Sequence, residues 1–193
     1  MQINFAEPKL LINFATRKAL RIMGYTYFRV TDERARDVMP KATEIIKDIF
    51  KTFPEVSKSL KGSDGYNGEP FIDEEFIIFN GDAEKGEDYE TFYFDVYDMD
   101  SNFCKTANRP YELAVCLCLI VLKDTLKIKH GLSWRSAFKF ASDVYFMSHE
   151  NDNDNGEIIP AGKNWVKARR LYNKYCRTHN MKIPNYSKWN IDE

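Results

Sequence analysis

The sequence predicts an α+β fold: a small mixed or antiparallel sheet with a long hairpin, packed by about four helices, one of them central and buried. Three observations predict it. Apolar residues recur at helical spacing in several segments, two runs rich in aromatic and β-branched residues flank a Gly-containing connection, and residues 113–122 form an uninterrupted apolar run. The 193 residues are the length of a single domain, 1–193.

The first 60 residues are predicted to be a mainly helical N-terminal part. Residues 9–23 place their apolar side chains near one helical stripe, and Gly24 follows as a stop signal. Residues 25–30 are aromatic and β-branched, which is typical of a short strand. A second helix is expected over about 32–52, bent near Met39 because Pro40 lacks a backbone N–H. Its predicted core residues are Ile45, Ile46, Ile49, Phe50 and Phe53.

Residues 75–80 and 89–96 are predicted to form an antiparallel hairpin. The connection between them contains glycine and is longer than a tight turn, which predicts a loosely held tip. In the second run, Phe92, Phe94 and Val96 share one face of the strand. We therefore expect that face to be core.

The apolar run at 113–122 belongs to the predicted central helix. Pro110 stands where a helix starts without losing a hydrogen bond, and Gly131 ends it. Residues 134–147 fit either a strand pair or a helix, and we favour strand. A polar loop at 150–157 precedes a final helix, whose predicted inward residues are Trp165, Ala168, Leu171, Tyr172 and Tyr175.

The ends of the chain and its cysteines bear on the compartment. The N-terminus lacks the basic start, apolar stretch and cleavage site of a secretory signal, so a cytoplasmic protein is expected. The longest apolar run is too short to cross a bilayer, so no membrane contact is expected. Neither a metal nor a cofactor is expected, and four reduced structural thiols are predicted at Cys104, Cys116, Cys118 and Cys176.

Charge is distributed unevenly along a chain whose net charge is −1. Residues 64–100 carry 13 acids against Lys85 alone, and we expect Asp82, Glu84, Glu87 and Asp88 to bind a partner. Basic residues spaced by 4, 3, 4 and 3 share one face of the final helix, which is expected to be a second binding surface: Lys163, Lys167, Arg170, Lys174 and Arg177. Alternatively, both are solvated faces that balance each other.

Candidate catalytic residues are few. The three histidines stand far apart, and residues 151–162 resemble a calcium loop that lacks its bidentate glutamate, since Gly162 occupies the twelfth position. A metal-dependent nuclease needs carboxylates and a lysine, which the chain could gather only from scattered positions. The set that we consider for this chemistry is Glu90, Asp95, Lys105 and Arg109.

Several sequence blocks resemble a family of uncharacterised bacterial and bacteriophage proteins. The blocks are an Asn-Gly strand end, a Glu-Thr-Phe strand, a Phe-Cys-Lys-Thr-Ala-x-x-Pro-Tyr segment, and a Ser-Asp turn before a Trp-bearing helix. The chain departs from them at Tyr89, where histidine is frequent, and at Val144, where glycine often follows Ser-Asp. The matching positions are Asn80, Gly81, Glu90, Thr91, Phe92, Phe103, Cys104, Lys105, Thr106, Arg109, Pro110, Tyr111, Ser142, Asp143 and Trp165.

The resemblance covers about residues 66–176 and implies that they form a compact α+β core, followed by a C-terminal tail at 177–193. It implies a phage or mobile-element origin and brings no established activity. Small phage accessory proteins of this kind resemble inhibitors of host defence, including anti-CRISPR proteins. The polar members of the blocks also have a structural interpretation, in which Thr106 or Asn108 caps the buried helix and Arg109 pairs with Glu90 or Asp143.

Three functions are therefore considered. The first is a non-catalytic phage inhibitor that acts in the bacterial host cytoplasm and binds a defence nuclease, with a CRISPR effector or its guide RNA as the expected target. The second is a metal-dependent nuclease or nucleotide hydrolase. The third is an RNA- or DNA-binding module that uses the basic helix, with Tyr175, Tyr186 and Trp189 as stacking platforms.

Overall fold

The computed structural model of the chain describes residues 25–28, 30, 35–98, 102–130 and 163–186. Their α+β arrangement is as predicted. The helix expected at 9–23, the strand pair favoured at 134–147 and the polar loop at 150–157 lie outside these residues. The elements in order are β1 (Tyr25–Phe28), α1 (Ala35–Thr52), α2 (Pro54–Ser57), β2 (Phe71–Ile72), β3 (Phe76–Phe79), a 3-10 turn (Ala83–Lys85), β4 (Phe92–Asp95), β5 (Asn102–Lys105), α3 (Glu112–His130) and α4 (Lys163–Thr178).

The described strands form two antiparallel sheets. One has the order β2-β3-β4 and contains the predicted hairpin, in which Ile77 faces Phe94 and Phe79 faces Phe92. The other joins β1 to β5. As expected, Phe92, Phe94 and Val96 are buried. One face of the hairpin therefore covers the core, and the opposite face lies toward solvent.

Helix α1 continues through Pro40, which removes one backbone donor from its first turns. The Thr43 hydroxyl donates to the carbonyl of Met39 at 3.1 Å. Of the predicted core residues, Ile45, Ile46, Ile49 and Phe53 are buried. Phe50 is partly buried, and its ring packs edge-on against Phe79 with centroids 6.4 Å apart. The helix thus supports the hairpin from the core side.

Helix α3 is buried over its first part, since every residue from 111 to 125 is buried. It packs against both α1 and α4. Burial on every side explains why the run 113–122 carries no polar stripe. Three charged residues of α3 are also buried, Glu112, Lys123 and Asp124, and Asp124 accepts a hydrogen bond from the Tyr172 hydroxyl at 2.9 Å. None of the described helices is both long and apolar enough to span a bilayer.

The four cysteines are free thiols buried in the core, as the sequence predicts. Burial raises the pKa of Cys176 to about 11 and raises the pKa values of Cys104, Cys116 and Cys118 further. Since the thiolate is the reactive form, all four should be inert in the folded protein at neutral pH.

This inertness is testable with iodoacetamide. At pH 8 we expect the folded protein to remain unmodified over a period in which all four thiols of the guanidinium-unfolded chain are alkylated. Mass spectrometry counts the adducts in each state. Rapid alkylation of even one cysteine in folded protein would contradict the described burial.

Candidate functional site

The connection between β3 and β4, residues 80–91, is here termed the acidic loop. Asn80, which is buried, closes its base: its Oδ1 accepts from the backbone N–H groups of Gly81 at 2.7 Å and Tyr89 at 3.2 Å, and its Nδ2 donates to the Tyr89 carbonyl at 3.2 Å. The Ala83 N–H donates to the Gly65 carbonyl at 2.8 Å and holds the tip. The prediction of a loosely held tip is therefore wrong, because side-chain and backbone bonds fix the loop at both ends.

Asp82 occupies the interior of the acidic loop and is only 3% exposed. Its Oδ2 lies 2.5 Å from the Lys85 Nζ, and its carbonyl accepts from the Glu87 N–H at 2.9 Å. The bond to Lys85 lowers the pKa of Asp82, and Asp82 in turn raises the pKa of Lys85. The Asp82 side chain, which was expected at the surface, is therefore turned inward to Lys85. The acids that the loop leaves toward solvent are Glu84, which is exposed, and Glu87 and Asp88, which are partly exposed.

The Asp82–Lys85 bond predicts a pH dependence of stability. Because Asp82 binds its proton less tightly in the folded state, the bond stabilises the fold above the ordinary carboxyl pKa and is lost as pH falls through the lowered value. We expect Asp82→Asn to lower the urea midpoint at pH 6 and to lower it less at pH 2.5. Urea titrations of both proteins measure the difference, and an equal loss at both values would contradict the assignment.

Other carboxylates in the acidic segment fix turns. Asp64 Oδ1 accepts from the N–H groups of Tyr66 and Asn67, both at 2.9 Å, and these bonds lower its pKa. Asp73 Oδ1 accepts from the Phe76 N–H at 2.7 Å in the same way. Aspartate forms such turns because its short side chain reaches the backbone two or three residues on. The carboxylates of Asp64 and Asp73 thus stabilise turns, and both remain at least partly exposed to solvent.

Five basic residues on one side of α4 are all exposed, while Trp165 and Tyr172 on the opposite side are fully buried. These five residues are here termed the basic stripe: Lys163, Lys167, Arg170, Lys174 and Arg177. Lys174 Nζ lies 5.4 Å from the centre of the Phe53 ring, at the end of α1. In the described ranges, no ion pair joins the basic stripe to the acidic loop. The two charged surfaces therefore do not neutralise each other through direct ion pairs among the described residues.

The candidate catalytic residues are only partly brought together. Glu90 Oε2 accepts from the Lys105 N–H at 2.8 Å, and its Oε1 lies 3.5 Å from the Lys105 Nζ. Arg109 is exposed in the turn after β5, where its N–H donates to the Thr106 carbonyl at 2.9 Å. Asp95 is the last residue of β4, whereas Glu90 precedes the first, so the length of the strand separates the two carboxylates. The described ranges hold no group of three or more His, Cys, Asp or Glu residues placed to bind a metal.

The Glu90–Lys105 pair belongs to a structural joint. The Tyr111 hydroxyl, fully buried, lies 2.6 Å from the Glu90 carbonyl and 3.1 Å from the Lys105 carbonyl, so it ties the start of β4 to the end of β5 above α3. Sequence reasoning paired Glu90 with Arg109, whereas the ion-pair partner of Glu90 is Lys105. The other expected partner of Arg109, Asp143, lies outside the described residues.

The predicted stacking platforms are largely occupied. Tyr175 is buried and its hydroxyl donates to Asp48 Oδ2 at 2.8 Å, so its ring is not open to a nucleobase. Tyr186 is partly buried beneath the guanidinium of Arg169, 5.1 Å from the ring centre. Trp189 lies outside the described residues. Tyr175 therefore does not present an open ring for stacking, because it is buried and its hydroxyl is bonded to Asp48 of α1.

A groove of about 580 Å³ runs between α1 and the end of α4. His179 stacks on the Tyr175 ring with centroids 4.0 Å apart, and its Nε2 lies 3.3 Å from Asp48 Oδ2. Lys47 and Lys51 also line the groove. Sequence reasoning missed this groove, since Asp48 and His179 are far apart in the chain and form no motif. Its lining carries both acidic and basic side chains.

The second feature that sequence reasoning missed is the solvent face of the β2-β3-β4 sheet. Register places Phe71 opposite Ile78, and Ile78 opposite Tyr93, in one row across the three strands. Phe76 lies diagonally from Tyr93, with ring centroids 6.2 Å apart. The available signal was the placement of Phe71 and Phe76 among acids, where neither belongs to the predicted core. The residues Phe71, Phe76, Ile78 and Tyr93 are here termed the sheet face.

Comparison with models of protein families, with curated proteins and with solved structures finds no match to this chain.

Proposed function

We propose that this protein is a non-catalytic inhibitor that binds a host defence nuclease, such as a CRISPR effector, at the positively charged surface where that enzyme holds nucleic acid. The observation that carries the proposal is the separation of two charged surfaces: the outward acids of the loop, Glu84, Glu87 and Asp88, and the exposed basic stripe. Charges that neutralised each other within the fold would have left neither surface for a partner.

The acidic side of the molecule is suited to a cationic channel. Carboxylates held on a closed loop and on sheet turns present negative charge at fixed positions, as the phosphates of a nucleic acid do. Surfaces of opposite potential associate faster and exclude partners of like charge. Because Asn80 and Asp82 fix the loop internally, little conformational entropy is lost on binding.

The basic stripe supports a contact with the nucleic acid that such an enzyme carries, for example its guide RNA. Its residues lie at successive helical turns, so they can follow a phosphate backbone along the helix. A contact of this kind contributes affinity without reading sequence. The expected complex therefore contains the inhibitor, the nuclease and its bound RNA.

The test is capture from bacterial cells that carry defence systems, followed by mass spectrometry of the retained protein and by nuclease assays with the isolated target. We expect a fixed stoichiometry, and we expect Glu84→Lys combined with Glu87→Lys and Asp88→Lys to abolish both binding and inhibition. Glu55→Lys, at an exposed acid on α2, is the matched control and should bind normally. Lys167→Glu with Lys174→Glu should weaken binding only where RNA is present.

Two results would replace this function with the alternatives. Turnover of nucleic acid by substoichiometric protein, abolished by EDTA, would establish an enzyme instead. Salt-dependent binding to naked RNA or DNA, lost in Lys167→Glu with Lys174→Glu while no protein is captured, would establish a nucleic-acid-binding module.

A further inference from the structure

The solvent face of the three-stranded sheet carries apolar side chains at adjacent positions on all three strands. Antiparallel sheets with one face in water ordinarily alternate apolar and polar residues. Here Phe71 is 52% exposed and Tyr93 42% exposed, with Ile78 between them in register and Phe76 beside them. Contiguous exposed apolar residues rimmed by polar ones are typical of interaction sites.

The rim of the sheet face is acidic. Asp95 shares this face as the strand partner of Phe76, and its Oδ2 lies 3.4 Å from the Tyr93 hydroxyl. Glu75 Oε1 accepts from the Tyr97 hydroxyl at 3.0 Å, and Glu74 beside it is exposed. Each carboxylate adjoining a ring retains acceptor capacity, because a carboxylate offers about four lone-pair sites. An aromatic centre with an acidic rim suits a ligand that is both planar and cationic.

The chain itself contains one example of this recognition. The guanidinium of Arg36 lies 4.5 Å from the centre of the Tyr97 ring, whose hydroxyl is bonded to Glu75. Arginine stacks on aromatic rings and forms paired hydrogen bonds with carboxylates, whereas lysine offers only a point charge. The ring of Tyr93, four residues before the ring that Arg36 covers, lies beside Asp95 and is partly open to solvent.

We propose that the sheet face is the docking surface for arginine side chains of a protein partner, with guanidinium groups stacked on Tyr93 and Phe71 and bonded to Asp95. This inference rests on the proposed function, and it names the chemistry of the partner: an arginine-rich surface with apolar residues between the arginines. The acidic rim repels phosphate, so a nucleic acid is not the occupant. Tyr93 and Phe71 supply the aromatic anchors on which the affinity of such an interface depends.

The test measures binding of a labelled arginine-leucine peptide and a matched lysine-leucine peptide by fluorescence anisotropy. We expect the arginine peptide to bind at least about fivefold more tightly, and we expect Tyr93→Ala to weaken it about tenfold. Tyr66→Ala is the control, since this exposed tyrosine lies outside the sheet face. Equal affinity for the two peptides, or an unchanged affinity in Tyr93→Ala, would overturn the inference.

Two further measurements separate the possible failures. The circular dichroism spectra of Tyr93→Ala and Phe71→Ala should match that of the original protein, and their thermal midpoints should fall by only a few degrees, because both residues are about half exposed. If the captured target binds these variants unchanged while the acidic-loop variant fails, the sheet-face inference is wrong and the proposed function stands. Self-association that sedimentation detects in the original protein and not in Phe71→Ala would make a second copy of the chain the occupant, which also overturns the inference.

Discussion

Replacement of Gly81 by alanine is expected to lower the free energy of unfolding by about 3 kcal/mol or more, and with it the binding activity of the acidic loop. A Cβ at this position would fall well inside contact distance of the Glu87 carbonyl and 2.9 Å from Cδ1 of Tyr111. The Glu87 carbonyl is backbone and Tyr111 is fully buried, so neither can move aside without opening the loop. Urea unfolding followed by circular dichroism measures the loss.

Gly68→Ala is the matched control. Gly68 has a positive φ of 72°, and no atom lies within 4 Å of an added Cβ. Alanine there experiences only the cost of the left-handed conformation, about 1 kcal/mol. The difference between the two variants isolates the close approach at Gly81, and equal losses would show that the loop does not pack as described.

The second large effect is expected at Phe92, whose replacement by alanine should cost about 3–5 kcal/mol. This side chain is fully buried, and its ring centroid lies 5.1 Å from that of Phe79 and 5.5 Å from that of Phe28. Its removal opens a cavity where β4 of the three-stranded sheet meets β1 of the two-stranded sheet. Denaturant titration gives the loss directly.

Tyr93→Ala, one residue along the same strand, provides the comparison for Phe92→Ala. Tyr93 points to the opposite face and is about half exposed, so its loss should cost less than about 1 kcal/mol. Comparable losses at the two positions would mean that the strand is not oriented as described. The pair therefore tests both the register of the hairpin and the accessibility of the sheet face.

Much of the fold was predictable because its signals are local. The alternation of Phe92, Phe94 and Val96 identifies the buried face of the hairpin without reference to any other segment. The apolar run at 113–122 predicts burial on all sides of α3, and the regular spacing of the basic stripe predicts its exposure. Each of these patterns depends only on the period of a helix or strand.

The remaining features depend on contacts between distant residues. Asp82 reads as a surface acid, and only the folded loop shows that it turns inward to Lys85. The expected grouping of Glu90 with Asp95 failed because β4 extends between them. The sheet face could not be predicted from the sequence, because Phe71 and Tyr93 lie in one row only through Ile78 of the intervening strand. Composition and spacing carry no information on such pairings.

The pairing of β1 with β5 has a consequence for how the chain acquires its structure. Tyr25 and Lys105 face each other although they are about 80 residues apart in sequence. Closing a loop of that length costs about 4 kcal/mol of chain entropy, and contacts of long sequence separation slow folding. During synthesis, β1 leaves the ribosome long before β5. Its backbone donors and acceptors therefore have no strand partner until the intervening residues and β5 have been made. A nascent chain arrested before residue 102 should therefore be prone to aggregate through this unpaired edge.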